Sequence, residues 1–529
     1  MKRRDFLKAA PVAAIPALIG GWPVKAFGAS PLLEALTASA VETDHVLVLI
    51  QMVGGNDGLN CVIPLDQYSN LSAARSNILI AANKVLPLNG VAGTGLHPSM
   101  TGMQQLFNDG KLRIVQGVGY PNPNFSHFRA TDIWLTGSDA NQVLNTGWSG
   151  RHLAYEYTNY PTGYPNSTMP DPLAIQIGYF VSPVFQGPQV NMAMSIADPS
   201  SIYNLAAGIA DPAPANNAGK ELTYVRQVAK QTNQYASVIT SAYNAVTTPQ
   251  LTYPANNQLA AQLKAVARLI AGGLKTRVYL VSTQQDGSYD THANQVVSSA
   301  TETGEHADML GELSAAIKAF QDDLQHLGAA DRVLGMTFSE FGRRIKSNAS
   351  LGTDHGAAAP VFVFGNQVLP GISGTNPQIG ASVSVDDNLP MQYDFRSVYG
   401  SLLRDWFCVP ESDLPNILFQ QYQNIPMVNT AACTTAIHEI NSKAGIQLIT
   451  NYPNPFTSAT TIQFTTAGGP TLVQIFNCEG QLIKTPVESD MAAGTYSVQF
   501  ENEQYSPGVY YARFQNGMMQ QVAQMMLVR

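Results

Sequence analysis

Seven polar side chains near the ends of short apolar runs could do chemistry together. They are Asp57, Ser126, Asp290, His292, Glu340, Asp354 and His355. Aspartate, glutamate and histidine supply the oxygen and nitrogen ligands that divalent metal ions prefer, so the set predicts a site for zinc, manganese, magnesium or calcium. A metal ion there would polarise a phosphoryl or sulfuryl oxygen, or activate a nucleophile.

Two arginines and one serine extend this chemistry to anion binding and nucleophilic attack. The planar guanidinium groups of Arg343 and Arg344 match the oxygens of a phosphate or sulfate. Ser126 precedes a predicted helix. It either caps this helix or acts as a nucleophile at the helix N-terminus, where the helix dipole favours a developing anion, and His127 and Arg129 could assist it. We predict Ser126 and Arg343 as catalytic residues. The predicted metal ligands are Asp57, Asp290, His292, Glu340 and His355.

Each of these residues also has an ordinary interpretation. An isolated histidine is more often a hydrogen-bonded loop residue than a ligand, and Arg343-Arg344 is also typical of a solvated helix start. Asp57, between Asn56 and Gly58, is also typical of a turn that only caps the chain. Because several of the groups follow predicted strands, a shared metal or anion site is the stronger hypothesis.

The apolar runs that position these residues are typical of buried strands in an α/β sheet. Strands are predicted at residues 45–53, 112–118, 173–177, 277–282, 333–338 and 361–364, and helices at 258–271, 310–327 and 394–407. In open α/β sheets, ligands lie where parallel strands end. We therefore expect the polar groups to converge on one crevice, with the loop-rich segment 157–217 as a lid.

Composition limits the possible classes of protein. The 529 residues are enough for two or three domains, and 45% hydrophobic with 12% charged residues indicates a loop-rich globular protein. A net charge of −8 without a basic tract argues against nucleic-acid binding. The four cysteines lack CxxC spacing, which argues against a thiolate zinc site. Cys408 and Cys433 could form a disulfide, and four free thiols fit the sequence equally well.

Both ends of the chain carry signs of export. Residues 1–29 are predicted as an export signal, because a basic start is followed by an apolar stretch too short to span a bilayer. Arg3-Arg4 with Phe6-Leu7-Lys8 favours a twin-arginine signal over an ordinary secretory one. Residues 427–446 are predicted as a linker. Residues 447–529, with short alternating runs and no histidine, are predicted to be a small non-catalytic β-sandwich.

Five motifs in order resemble the domain-of-unknown-function 1501 family. They are GGNDGLN, NFSHFRATDIWLTG, YDTHANQ, TFSEFGRR and TDHGAAAPVFVFG, within residues 43–426. The family is grouped with the alkaline phosphatase and sulfatase superfamily. The resemblance implies a mostly parallel sheet between helices, with metal ions at the strand ends.

The resemblance also implies roles for individual residues. Asp57 matches a metal carboxylate after the first strand, and Ser126 lies near the expected nucleophile. Asp290 and His292 stand in the place of the late aspartate and histidine ligands, although their D-x-H spacing is shorter than the usual D-x-x-x-H. His355 matches the final histidine ligand.

One position departs from the superfamily pattern. Glu340 matches an aspartate that is normally followed at once by a histidine ligand, and here Phe341 follows. The missing ligand puts a two-zinc phosphatase site in doubt. A single metal ion, a different metal ion and a lost activity all remain open.

The C-terminal segment resembles the type A sorting domain of the type IX secretion system. The motifs are NYPNPFTSATTIQF, LVQIFNCEGQLI, GTYSVQF and SPGVYYARF. The resemblance implies passage across the outer membrane, removal of the domain, and display or release outside the cell. The alternative is an adhesive immunoglobulin-like domain.

The sequence as a whole favours a secreted, metal-dependent hydrolase of phosphate or sulfate esters. Its expected partners are the export machinery (twin-arginine or general secretory, then type IX) and a small anionic ester or a sulfated or phosphorylated polymer, with no nucleic acid and no transmembrane segment. The alternative function is a non-catalytic cell-surface protein that binds a glycan or an anion, and Phe341 favours it.

Overall fold

A computed structural model defines the fold of most of the chain. The described residues are 17–19, 22–24, 43–198, 214, 216–285, 287–429, 433, 449–466, 469–477, 480–492, 494–501, 505–516 and 519–528. Most of the predicted export signal and linker lie outside these ranges. The chain divides into two units, one formed by Asp44–Ala432 and the other by Met1–Thr43 with Cys433–Arg529.

The α-helices and β-strands of the described residues are numbered in chain order. The helices are α1 Gly58–Cys61, α2 Tyr68–Arg75, α3 Thr101–Asn108, α4 His127–Thr136, α5 Trp148–Glu156, α6 Asn217–Ala245, α7 Gln258–Ala271, α8 Glu305–His326, α9 Phe395–Asp405 and α10 Leu414–Leu418. The strands are β1 Ala17–Ile19, β2 Trp22–Val24, β3 Val46–Gln51, β4 Val62–Pro64, β5 Leu86–Leu88, β6 Val91–Leu96, β7 Leu112–Gly119, β8 Ala174–Ile177, β9 Ala193–Ile196, β10 Val278–Ser282, β11 Val333–Phe338, β12 Arg343–Ser347, β13 Thr353–His355, β14 Ala359–Phe364, β15 Gly371–Ser373, β16 Tyr393–Asp394, β17 Thr450–Tyr452, β18 Ala459–Thr466, β19 Gly469–Asn477, β20 Leu482–Met491, β21 Gly494–Glu501, β22 Gly508–Asn516 and β23 Met519–Leu527.

A nine-stranded sheet forms the centre of the Asp44–Ala432 unit. Its order is β15-β7-β14-β11-β3-β10-β8-β9, with β16 also paired to β7. Neighbouring strands are parallel except that β14 is antiparallel to both β11 and β7. This mixed, mostly parallel sheet confirms the predicted α/β class.

Both faces of the sheet are covered, which explains the continuous apolar runs in its strands. In β3, Val46, Val48 and Ile50 pack into a core that also contains the apolar faces of α7 and α8. Leu47 and Leu49 point to the opposite core, which contains side chains of α5 and α9. Alternate side chains of β3 therefore pack into two different cores, one on each face of the sheet.

The direction of β14 is the main departure from the expected topology. The run at residues 361–364 was expected among the parallel strands, but it lies antiparallel between β11 and β7. Its amino-terminal end therefore lies at the edge where β3, β10 and β11 end. The segment before β14, which carries Asp354 and His355, therefore lies at the same edge of the sheet as the segments after the parallel strands.

The C-terminal unit contains two antiparallel sheets, with orders β17-β18-β21 and β20-β19-β22-β23. One apolar core contains side chains of both sheets, including Ile462, Phe464, Val473 and Phe514. This arrangement agrees with the predicted small β-sandwich. Within the described part of the chain, no helix combines the length and hydropathy needed to cross a bilayer.

The cysteines differ in state. Cys61 is a buried free thiol. Cys408 and Cys433 are each disulfide-bonded, so the interpretation with four free thiols does not hold.

Candidate metal centre

Four segments bring polar side chains together at one edge of the main sheet. His127 begins α4 beyond the end of β7, and Asp290 and His292 lie in the segment that follows β10. Glu340 follows β11, and His355 ends β13 just before β14. Residues far apart in the chain meet here because the sheet aligns the ends of these strands.

His355 is held in one tautomer by the backbone. Its Nδ1 lies 2.7 Å from the carbonyl oxygen of Phe125, which can only accept, so Nδ1 carries the proton. Burial lowers the pKa of His355, which favours the neutral ring. The unprotonated Nε2 then faces Asp290 Oδ1 at 3.1 Å and His292 Nε2 at 2.9 Å.

His292 repeats this arrangement with a carboxylate as its partner. Its Nδ1 lies 2.9 Å from Asp354 Oδ1, and Asn348 Nδ2 donates to the same carboxylate oxygen at 3.2 Å. Its Nε2 lies 3.1 Å from Asp290 Oδ1. Two imidazole nitrogens and a carboxylate oxygen therefore converge, although all three are acceptors when both rings are neutral.

His127 completes the set and was predicted only as an assisting residue. Its Nδ1 lies 2.8 Å from the buried Glu340 carboxylate, and its Nε2 lies 3.3 Å from Asp290 Oδ2. The hydrogen bond to Glu340 raises the pKa of His127. The position of His127 in the first turn after a strand end was the available sequence signal.

Glu340 contacts the backbone and a histidine. Its Oε1 accepts from Gly54 N at 2.9 Å as well as contacting His127. The structure therefore places Glu340, a predicted ligand, behind His127 with its Oε1 occupied. A carboxylate there orients the imidazole and makes it a better ligand.

This donor set fits a divalent metal ion. One ligand atom each from His127, Asp290 and His355 lie within 4.8 Å of one another, and Nε2 of His292 points to the same carboxylate. In all three histidines an oxygen acceptor contacts Nδ1, as is usual for metal-bound histidine, and this contact leaves Nε2 free to bind a metal ion. Clustered acceptors repel one another unless a cation or shared protons lie between them.

Arg343 lies behind Asp290, with a fully buried side chain. It donates to Asp290 Oδ1 at 2.7 Å. It also donates to backbone carbonyl oxygens of the surrounding loops, those of Gly54, Gly55, Tyr289 and Thr353. Partial burial opposes ionisation of Asp290, but the hydrogen bond and the positive charge of Arg343 lower its pKa to about 2. Arg343 therefore keeps Asp290 charged and ties the loops together.

Asp57 is engaged by a different partner. Arg75 Nη1 lies 2.9 Å and 2.8 Å from its two carboxylate oxygens, and Gln295 Nε2 donates to Oδ2 at 2.7 Å. Asp57 also caps α1 by accepting from Leu59 N at 3.2 Å. The structure thus places this predicted ligand in a buried ion pair, and the sequence offered no signal for Arg75 as its partner.

Ser126 and Arg344 lie at the exposed side of the site. Ser126 is exposed at the N-terminus of α4, and its side chain makes no capping hydrogen bond. The Arg344 side chain contacts Asp386, and its guanidinium lies 5.1 Å from the centroid of the Phe125 ring. Ser126 is therefore available to a ligand, next in sequence to His127.

Phe341 fills the space where a further histidine was expected. It is 1% exposed, and its ring centroid lies 4.9 Å from that of His127 and 4.5 Å from that of His355. A Cβ added at Gly55, where φ is +81°, would lie 2.3 Å from this ring. The Phe341 ring thus lines the site and packs against the imidazoles of His127 and His355.

Comparisons with known proteins agree with the architecture. A family described as "protein of unknown function (DUF1501)" matches residues 44–395. A secretion system C-terminal sorting domain matches residues 450–528, so the chain is exported to the cell surface or the extracellular space. No curated protein matches the sequence.

Several solved structures match this chain at low similarity. A protein of the alkaline phosphatase superfamily from Vibrio parahaemolyticus is 11% identical with a TM-score of 0.31, covering 68% of this chain and 66% of its own. The PsFucS1 sulfatase from Pseudoalteromonas sp. is 11% identical with a TM-score of 0.32, covering 90% and 89%. The alkaline phosphatase from the Antarctic bacterium TAB5 is 10% identical with a TM-score of 0.26, covering 62% and 94%. These scores are too low to transfer any function.

Proposed function

The chain belongs to the DUF1501 family, and from its site we propose that it is a secreted, metal-dependent hydrolase of phosphate or sulfate esters. The observation that carries the proposal is the convergence of three histidine Nε2 atoms on the Asp290 carboxylate. A bound divalent ion supplies Lewis-acid polarisation of a phosphoryl or sulfuryl oxygen.

The side chains around the proposed ligands have two roles, orienting the imidazoles and keeping Asp290 ionised. Glu340, Asp354 and the Phe125 carbonyl fix the three imidazoles with Nε2 pointing inward. Arg343 keeps Asp290 ionised and holds the loops, so we assign it a positioning role. Direct contact between Arg343 and the ester anion is a weaker alternative, because its side chain is buried.

Ser126 is the proposed nucleophile. Its exposed hydroxyl lies at the N-terminus of a ten-residue helix, where the helix dipole favours a developing anion. In the proposed reaction Ser126 Oγ loses its proton and bonds to phosphorus or sulfur, while the ester alcohol leaves with a proton. Water then displaces the serine oxygen and releases phosphate or sulfate.

Metal content and ester hydrolysis test the proposal together. Protein purified without added metal is expected to contain a divalent ion and to hydrolyse an aryl phosphate or an aryl sulfate. His355→Ala is expected to lose both the metal ion and the activity, whereas the control His326→Ala, an exposed histidine bonded to the Pro249 carbonyl, keeps both. Absence of metal, with hydrolysis unchanged in His355→Ala, would contradict the proposal.

A non-catalytic surface protein that binds a glycan or an anion is the second candidate. The observation in its favour is Phe341, which is buried against the histidines where a further ligand was expected. Binding of a sulfated polymer such as dextran sulfate, unchanged by Asp290→Asn and unaccompanied by any hydrolysis, would favour this second function.

A further inference from the structure

We propose that this site binds one divalent ion per chain and that the Arg75 guanidinium takes the place of a second cation beside Asp57. The proposal rests on the metal-dependent function above and adds the number of ions. It concerns two aspartates that the sequence assigned to one metal site, Asp57 and Asp290. The structure surrounds them with opposite kinds of partner.

The Asp57 carboxylate is saturated by hydrogen-bond donors. Oδ1 accepts from Leu59 N at 3.2 Å and from Arg75 Nη1 at 2.9 Å. Oδ2 accepts from Arg75 Nη1 at 2.8 Å and from Gln295 Nε2 at 2.7 Å. A carboxylate has about four acceptor positions, and all are used here. With 1% of the residue exposed, no solvent-facing lone pair remains for a metal ion.

Arg75 is anchored on several sides, so it cannot swing away from Asp57. Its Nε donates to the Ile345 carbonyl at 2.9 Å, and its Nη2 donates to the Arg344 carbonyl at 2.7 Å. Its side chain is 0% exposed. A metal ion at Asp57 would leave this guanidinium buried without its counter-charge, which is strongly unfavourable.

Asp290 has the opposite environment. Its neighbours include the Nε2 atoms of His127, His292 and His355, which are acceptors in neutral rings and can share a cation with the carboxylate. Among the residues that the structure describes, Arg343 is the one side chain that contacts the Asp290 carboxylate and can act only as a donor. Because acceptors surround Asp290, we assign it to metal binding. Because donors surround Asp57, we assign it a structural role.

The balance of charges around the site also favours one divalent ion. Around the ligand atoms, three carboxylates face one guanidinium, which leaves two negative charges. These groups are Asp290, Glu340, Asp354 and Arg343. Asp57 and Arg75 are already neutral as a pair. With the three imidazoles neutral, as metal binding requires, one divalent ion balances these four groups, and a second would leave them positively charged.

Counting bound ions in matched variants tests the proposal. The full chain is titrated separately with Zn²⁺, Mn²⁺, Mg²⁺ and Ca²⁺, and bound metal is measured by elemental analysis and calorimetry. The wild type is expected to bind one ion. Asp290→Asn is expected to weaken binding by about 10- to 100-fold or more. The double variant Asp57→Asn, Arg75→Met removes both charges of the buried pair together, which proteins tolerate better than removing one.

The double variant is expected to keep its Zn²⁺ affinity within about twofold of the wild type, because neither Asp57 nor Arg75 binds the metal ion in this proposal. Two ions per wild-type chain, or a clear loss of affinity in the double variant, would overturn this proposal and leave the metal-dependent function standing. A wild-type chain that binds none of Zn²⁺, Mn²⁺, Mg²⁺ and Ca²⁺ would overturn both. If the double variant does not fold, the wild-type ion count decides alone.

Discussion

His292 Nδ1 and Asp354 Oδ1 lie 2.9 Å apart, although the two residues are 62 positions apart in the chain. The carboxylate can only accept, so it fixes the proton on Nδ1 and turns Nε2 toward Asp290. Hydrogen bonding to the imidazole lowers the pKa of Asp354 against the opposing effect of its burial. The Asp354 carboxylate thus sets the tautomer and the orientation of the His292 ring.

Asp354→Asn is therefore expected to weaken metal binding without removing a ligand. The amide can present either its oxygen or its NH₂ group to His292, so the ring orientation is lost in part. The Zn²⁺ affinity should fall about 10- to 100-fold in a competition titration. Asp386→Asn is the control, because Asp386 is also exposed but lies near Arg344 rather than a histidine. Equal affinities for both variants would contradict the assigned role.

Neighbouring arginines should differ sharply in their effect on stability. Arg343→Met removes a buried guanidinium that binds Asp290 and four carbonyl oxygens, and the free energy of unfolding should fall by about 3–5 kcal/mol. Arg344→Met, at a partly exposed side chain, should cost at most about 1 kcal/mol. Urea unfolding of both variants measures the difference. Similar losses would show that Arg343 does not hold the loops.

Buried histidines should make stability depend on pH. Burial lowers the pKa of His97 and of His152 to about 3 and that of His306 to about 4. The unfolded chain therefore binds more protons than the folded chain below the ordinary value of about 6.5. Stability should fall as the pH drops from about 6.5 toward 4, by about 1.4 kcal/mol per pH unit for each histidine.

The variant His152→Leu isolates one of these contributions. His152 packs its ring against Phe407, so an apolar side chain suits the site and cannot gain a proton. The slope of unfolding free energy against pH should become shallower by about 1.4 kcal/mol per unit in this window. An unchanged slope in urea titrations at pH 7, 6 and 5 would mean that His152 is not neutral in the folded chain.

Processing of the C-terminal domain gives an independent check on export. The sorting domain covers residues 450–528. If it is removed during secretion as the resemblance implies, the mature extracellular protein should lack residues from about 450 onward. Mass spectrometry of protein recovered outside the cell measures this directly. A secreted product that still ends at Arg529 would contradict removal.

The sequence was sufficient for much of the fold because its strands are buried on both sides. Continuous apolar runs marked β3, β10 and β11, and the polar residues after them were expected at one edge. The direction of β14 was not predictable, since a short buried run has the same pattern in either direction. The polar residues nevertheless meet at one edge of the sheet, because the start of an antiparallel strand lies at the same edge as the ends of its neighbours.

The candidate site was less predictable because ligands and supports use the same residue types. Nothing in the local sequence distinguishes Asp57, which Arg75 saturates, from Asp290, which faces the histidines. Glu340 was predicted as a ligand, and the structure places its Oε1 against Gly54 N and His127. Such assignments depend on long-range partners, which only the folded chain brings together.

Anomalous diffraction from crystals of protein purified without chelator tests the central claim most directly. Data collected at the absorption edge of the bound metal should show one strong peak. We expect it between the Nε2 atoms of His127, His292 and His355 and the Asp290 carboxylate, with no peak beside Asp57. The absence of a peak at these histidines, or a peak at Asp57 alone, would contradict the account.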